Sequence, residues 1–187
     1  MTGVREPVVA GSFYPGSADL LASTVDELLA SATVRGPAIE PGALRGLIVP
    51  HAGYVYSGPV AASGYALLRP SATPAVVVIL GPSHFESLTG MAVAPHDAWR
   101  TPLGEVPLDR ALRRAIVDAG ATSDDQPHRA EHSIEVQLPF LQRCLPGVQI
   151  LPVVVGRGSP REHAAMLDRA MPDDALLVVS TDLSHYH

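Results

Sequence analysis

Two periodicities divide the chain. Short runs of branched apolar residues, bounded by Gly, Pro and Ser, alternate with longer stretches in which apolar residues recur every three or four positions. The runs Leu47–Val49, Ala75–Leu80, Met91–Ala94, Val148–Val155 and Leu176–Val179 show no polar alternation, which predicts strands buried on both faces, as in parallel sheets. Pro152 interrupts one of them and predicts an edge position or a bulge. Behind Ser17, a plausible N-cap, residues Leu20, Leu21, Val25, Leu28 and Leu29 share a helical face, with Asp26 and Glu27 on the other.

A small-residue helix is predicted from Pro59 to Leu68, where Ala61, Ala62 and Gly64 allow close approach to a sheet. An amphipathic helix over Asp109–Ala119 stops at Gly120. Another runs through Ile134, Val136, Leu138, Leu141 and Leu145, kinked or restarted at Pro139, and a last one spans Pro160–Met171 with proline in its first turn. Residues 96–104 read as polar and turn-rich, and 123–132 as an acidic loop. Strand and helix alternate, so the expected fold is a single α/β domain over residues 1–187. It is a three-layer sandwich with a mostly parallel central sheet and helices on both faces.

Three of the predicted strands end in turns that carry a histidine. These are Pro50-His51, Gly81-Pro82-Ser83-His84, and Ser180-Thr181-Asp182-Leu183-Ser184-His185. Ligands of open α/β sheets bind at the carboxyl ends of the strands, so histidines distant in sequence can converge there. Each one alone reads as a metal ligand or general base, or as a loop histidine bonded to local backbone. Gly53 after His51 suggests backbone geometry that a β-carbon would hinder. Ser83 is placed to bind an anion or to orient the neighbouring ring. Asp182 is placed to accept a ring N–H, to ligate a metal or to cap a helix. His132 stands near a helix start, with Glu131 or Ser133 as cap, where a neutral ring can donate to a substrate oxygen or simply sit at the surface.

Composition narrows the function. A formal net charge of -6 without a basic stripe argues against nucleic acid. No apolar run is long enough to span a membrane, and the first residues lack a signal-peptide core, so a cytoplasmic protein is expected. The single cysteine, Cys144, excludes an internal disulfide and reads as a structural thiol. There is no Gly-x-x-x-x-Gly-Lys loop, no Gly-x-Gly-x-x-Gly, no His-Glu-x-x-His and no Gly-x-Ser-x-Gly. P-loop, dinucleotide, zincin and common serine-hydrolase chemistries are disfavoured accordingly.

The same residues carry a resemblance. Pro50 to Gly58, Gly81-Pro82-Ser83-His84, Trp99 to Gly104, Glu131-His132-Ser133-Ile134-Glu135, Ser180 to Tyr186 and the opening Arg5-Glu6-Pro7 with Ala10 to Pro15 resemble Memo-family proteins, whose prokaryotic members are called AmmeMemoRadiSam system protein B. The resemblance implies a fold similar to class III extradiol dioxygenases, with His51 and His84 as ligands of an iron or copper ion. It implies that Asp182 and His185 line the same pocket, His185 in an acid–base position. The family's third ligand is a cysteine downstream of the last motif, so the resemblance implies a C-terminal portion beyond residue 187.

Two functions follow as expectations. One is a metal-dependent oxidoreductase, redox or oxygenase-like. The other is a non-catalytic module that takes a phosphate or phosphopeptide in the same pocket, with His132, Ser83 and the aromatic walls Phe13 and Tyr56. A hydrolase using metal-bound water is a weaker third. Expected partners are a small molecule or phosphopeptide and, through the resemblance, AMMECR-like and radical SAM proteins.

Overall fold

A computed structural model describes residues 3–35, 39, 43–68 and 74–183. Its elements run β1 (Val4–Arg5), α1 (Ala18–Ser31), β2 (Gly46–Val49), α2 (Tyr54–Tyr65), β3 (Val76–Pro82), β4 (Met91–Val93), β5 (Ala98–Thr101), β6 (Gly104–Pro107), α3 (Arg110–Asp118), β7 (Thr122–Ser123), α4 (Leu138–Cys144), β8 (Gln149–Val155), α5 (Pro160–Ala170) and β9 (Leu176–Ser180). Single 3-10 turns follow α2, span Gln126–His128 after β7, and precede α4.

Six strands form one sheet in the order β2-β9-β3-β8-β4-β7, and four of its five pairings are parallel. Helices α1, α2 and α4 contribute to an apolar cluster that includes Leu47, Val77, Ile79 and Val178. Helices α3 and α5 contribute to a second cluster with Val76, Val78, Leu151 and Val153. Neighbouring residues of one strand, Val77 and Val78, thus bury into different clusters, as the two faces of a strand require. The α/β sandwich is as expected, and its parallel strands β2, β9 and β3 end side by side.

Several sequence readings need correction. The β2 run is apolar throughout but is an edge strand with alternating burial, and Ile48 is 68% exposed. By contrast β8 lies inside the sheet despite Pro152. Ala94 N–H donates to the Pro152 carbonyl at 3.4 Å, one residue past the end of β4. The nitrogen and carbonyl of one strand residue point to the same side. The missing N–H of Pro152 therefore faces the last rung of the β4 ladder and leaves the pairing with β3 untouched.

The helix read from Pro59 begins earlier, at Tyr54, with Pro59 inside it. Its first turn is held by Tyr56 and Ser57 N–H groups on the Gly53 carbonyl and by the Ser57 hydroxyl on the Ala52 carbonyl. The polar stretch 96–104 is no plain loop. It contains β5 and the turn to β6, which pair as an antiparallel hairpin, and β1 adds to it in parallel. That small sheet exists to bury Trp99, which is fully enclosed. Asp109 caps α3 by accepting from Leu112 N–H, and Gly120 ends that helix with a positive φ of 123°. α4 restarts at Leu138, next to Pro139, as the pattern predicts.

Candidate metal centre

His51, His84 and His132 meet at the carboxyl edge of the sheet, with one ligand atom from each lying within 4.8 Å of the others. His51 follows β2 and His84 follows β3, while His132 arrives on the segment before α4. Their rings touch, at centroid separations of 5.2 Å for His51–His84, 5.8 Å for His51–His132 and 4.8 Å for the stacked His84–His132 pair.

Each of two rings has its tautomer set from behind. His51 Nδ1 lies 3.1 Å from the Ser180 hydroxyl. That hydroxyl donates its only proton to the Ser133 carbonyl at 2.6 Å and also accepts from Gln137 Nε2 at 2.8 Å. No proton remains for the ring, so His51 Nδ1 must donate, leaving the Nε2 lone pair free. Gln137 in turn is held by the Pro50 carbonyl and by Tyr65, whose hydroxyl donates to Oε1 at 3.0 Å. His84 Nδ1 lies 2.9 Å from Glu131 Oε1, a carboxylate that only accepts, so its Nε2 lone pair is free as well.

Glu131 is almost fully buried. Its Oε1 also accepts from the N–H groups of His132 and Ser133, and its Oε2 from His84 N–H at 2.8 Å. Burial pushes its carboxyl up, but the N–H groups of His84 and Ser133 outweigh it and hold the group below the ordinary range. The glutamate read as a helix cap therefore does cap the segment, and it also grips a strand end 47 residues away.

Asp182, just past β9, accepts from His51 N–H at 2.6 Å and Ala52 N–H at 3.2 Å, and its second oxygen lies 3.8 Å from His51 Nε2. Because β9 sits between β2 and β3, this carboxylate stands beside the cluster. Burial lowers the pKa of His51, with Asp182 opposing and the other two rings assisting. Burial likewise lowers that of His132, opposed by Glu131.

The remaining candidates fall in different places. Phe13 packs on the His132 ring at 4.6 Å. It also lines an open cavity of about 350 Å³ with Tyr14, Leu28, Tyr54 and Val55. Tyr56 is 85% exposed and points away from burial. The Ser83 hydroxyl donates to the Glu86 carbonyl at 2.6 Å within its own turn, so Glu131 is the group that orients His84. His185 lies outside the described residues. Cys144 is half-buried at the end of α4, its thiol 3.7 Å from the Tyr65 carbonyl.

Gly53 has φ -55°, open to any residue, and a β-carbon there would meet Phe13 only at an ordinary 3.5 Å. The glycine that matters is Gly81. A β-carbon on it would lie 2.4 Å from Ser133 Oγ and 2.7 Å from Ile134 Cγ1, so its absence lets the His84 turn and the His132 segment touch.

Comparison with known proteins shows the family. The model of the Memo family, described as Memo-like protein, matches residues 5–187. The chain belongs to the Memo family. A MEMO1 family protein of Thermotoga neapolitana is 39% identical over 197 residues, covering 98% of this chain and 71% of the relative. One from Methanopyrus kandleri is 39% identical over 195 residues, with 97% and 69% covered. One from Metallosphaera sedula is 37% identical over 196 residues, with 97% and 70% covered. The chain thus spans about 70% of the length of these Memo proteins. Among its described residues no helix is long and apolar enough to cross a membrane.

The donor set suits a transition metal. Imidazole nitrogens bind iron, copper and zinc, and metal–nitrogen bonds of about 2.1 Å put two ligand atoms on one ion within about 4.2 Å of each other. The observed spread of up to 4.8 Å is close to that limit.

Proposed function

We propose that this Memo protein binds a single redox-active metal ion, iron or copper, in the pocket of His51, His84 and His132, and uses it for oxidoreductase chemistry. The observation that carries this reading is the pair of tautomers. Ser180 and Glu131 hold the Nδ1 positions of His51 and His84, which leaves both Nε2 lone pairs for a ligand of positive charge. When bound, such an ion supplies one-electron chemistry and a Lewis acid for an oxygen-containing substrate.

The chain's own residues do the rest. Asp182 stands 3.8 Å from His51 Nε2, where a carboxylate can complete a two-histidine, one-carboxylate set or take a proton from substrate. His185 is assigned the proton-transfer role that its motif suggests. Phe13 forms an apolar wall against His132.

The phosphate-binding alternative is less well supported by the same geometry. Burial keeps His51 and His132 inclined to neutrality, and the carboxylates of Glu131 and Asp182 border the pocket. Both features oppose an anion and favour a cation.

The test is metal analysis and titration with Fe(II) and Cu(II). Purified protein is expected to hold one equivalent, and a His51→Ala/His84→Ala variant to hold none. Equal content in both would sink the proposal. Phosphopeptide binding by metal-free protein that the same double substitution abolishes would favour the alternative.

A further inference from the structure

We infer that Glu131 is the positioning residue of this site: a single buried carboxylate that sets the tautomer of His84 and locks the two segments bearing His84 and His132 at a fixed separation. The inference rests on the metal-site reading for its consequence, though not for its geometry.

Glu131 Oε1 accepts three N–H groups at 2.9 Å, from the His84 ring and from the backbone of His132 and Ser133. Its Oε2 takes the His84 backbone N–H at 2.8 Å. One side chain therefore satisfies both the main chain and the ring of His84, and the main chain of His132. The two rings it positions are stacked at 4.8 Å, only 24° from parallel. Gly81 permits this closeness, since its bare α-carbon lets Ser133 and Ile134 pack on the end of β3. The backbone and the Nδ1 of His84 answer to the same carboxylate, so a flipped ring would lose its bond to Glu131. A carboxylate behind a histidine ligand fixes ring orientation and raises ligand basicity, and its removal typically costs about 10- to 100-fold in metal affinity.

His51 supplies an internal control. Its Nδ1 is held by Ser180 through a network that does not include the Glu131 side chain.

The experiment reads imidazole ¹⁵N shifts in metal-free protein, together with metal affinity. In the wild type, His84 is expected as the Nδ1–H tautomer; finding Nε2–H there overturns the inference before any variant is made. In Glu131→Gln, His84 is expected to show a mixture of tautomers while His51 stays Nδ1–H, and affinity for Fe(II) to fall about 10- to 100-fold. An unchanged His84 tautomer with affinity within about twofold overturns it. So does a change at both histidines, which would mean general loosening of the pocket.

Glu131→Asp keeps the charge but draws it back by one methylene. It is expected to shift the His84 tautomer in the same direction and serves if the glutamine variant does not fold; an unchanged tautomer in it also overturns the inference. If the wild type binds no metal while the His84 tautomer still follows Glu131, the proposed metal site falls and the positioning role stands.

Discussion

Two buried glutamates, four residues apart, do opposite things. Glu135 is fully buried and meets a cation: Arg5 Nη1 at 2.8 Å, with the Tyr14 hydroxyl and the backbone N–H groups of Val8 and Val9 filling its other positions. Arg5 is spent just as completely, donating to the carbonyls of His128 and Glu131 and stacking 4.1 Å over the Trp99 ring. Glu131 is equally buried, but its side chain takes backbone N–H groups and an imidazole, with no hydrogen bond from an arginine side chain among the described residues. The first network is closed on itself and holds the N-terminal segment to the body of the domain. The second ends at three imidazoles, one ligand atom of each lying within 4.8 Å of the others. A polar network that serves structure saturates its members, and one that serves a ligand leaves a matched set of vacant acceptors.

The largest break in that comparison comes from the closed network. Glu135→Ala leaves the Arg5 guanidinium buried without its partner, which is expected to cost about 3–5 kcal/mol in denaturant unfolding. Replacing both, as Arg5→Met/Glu135→Leu, should recover part of that loss, because apolar groups of similar size need no partner. A double variant no more stable than Glu135→Ala alone would show that the unpaired Arg5 charge is not the source of the loss.

The second effect is pH-dependent and lies beneath Arg5. His128 is buried, its Nε2 donates to the Ala92 carbonyl at 3.2 Å, and its Nδ1 has no hydrogen-bond partner among the described residues. Burial, with Arg5 assisting, pushes its pKa down from 6.5 to about 4; the Ala92 bond and Asp125 oppose. The unfolded chain therefore binds this proton first as pH falls. Stability contributed by the neutral ring is intact above about 6.5, erodes between 6.5 and about 4, and is gone below. A gap of this size corresponds to roughly 3 kcal/mol. His128→Gln should flatten the acid limb of a stability–pH curve in that window, whatever it does at pH 8. An identical slope in the variant would show that other groups dominate acid unfolding.

How much of this is legible beforehand depends on distance along the chain. The strand ends bearing His51 and His84 are readable because a branched apolar run and the turn that stops it are local. So is the grouping of those ends, since β2, β9 and β3 follow from parallel topology. Ile48 is misread because an apolar run looks the same on an edge as in the middle, and only the strand order separates them. Pro152 is misread for the converse reason: its missing N–H matters only relative to where β4 ends. The hairpin around Trp99 hides in a polar stretch whose buried residues have partners far away, Arg5 among them. Glu131 and Glu135 are indistinguishable in Glu-His-Ser-Ile-Glu, since their partners lie 47 and up to 130 residues distant.

The smallest expected effect probes how far the open network reaches into the core. Tyr65 is fully enclosed, stacked 5.0 Å from Phe140 at an interplanar angle of 3°, and its hydroxyl is the far end of the chain through Gln137 and Ser180 to His51. Tyr65→Phe keeps the ring and its packing but deprives Gln137 Oε1 of a donor. A lost buried hydrogen bond of this kind costs about 1–2 kcal/mol in stability. Gln137 Nε2 still has both the Pro50 carbonyl and the Ser180 hydroxyl to orient it, so His51 should keep its tautomer and metal affinity should fall less than about threefold. Titration of this variant beside Glu131→Gln distinguishes the two kinds of support. If Tyr65→Phe weakened metal binding as much as Glu131→Gln, the core would set the pocket geometry, and the separation between a closed structural network and an open ligand-directed one would not hold.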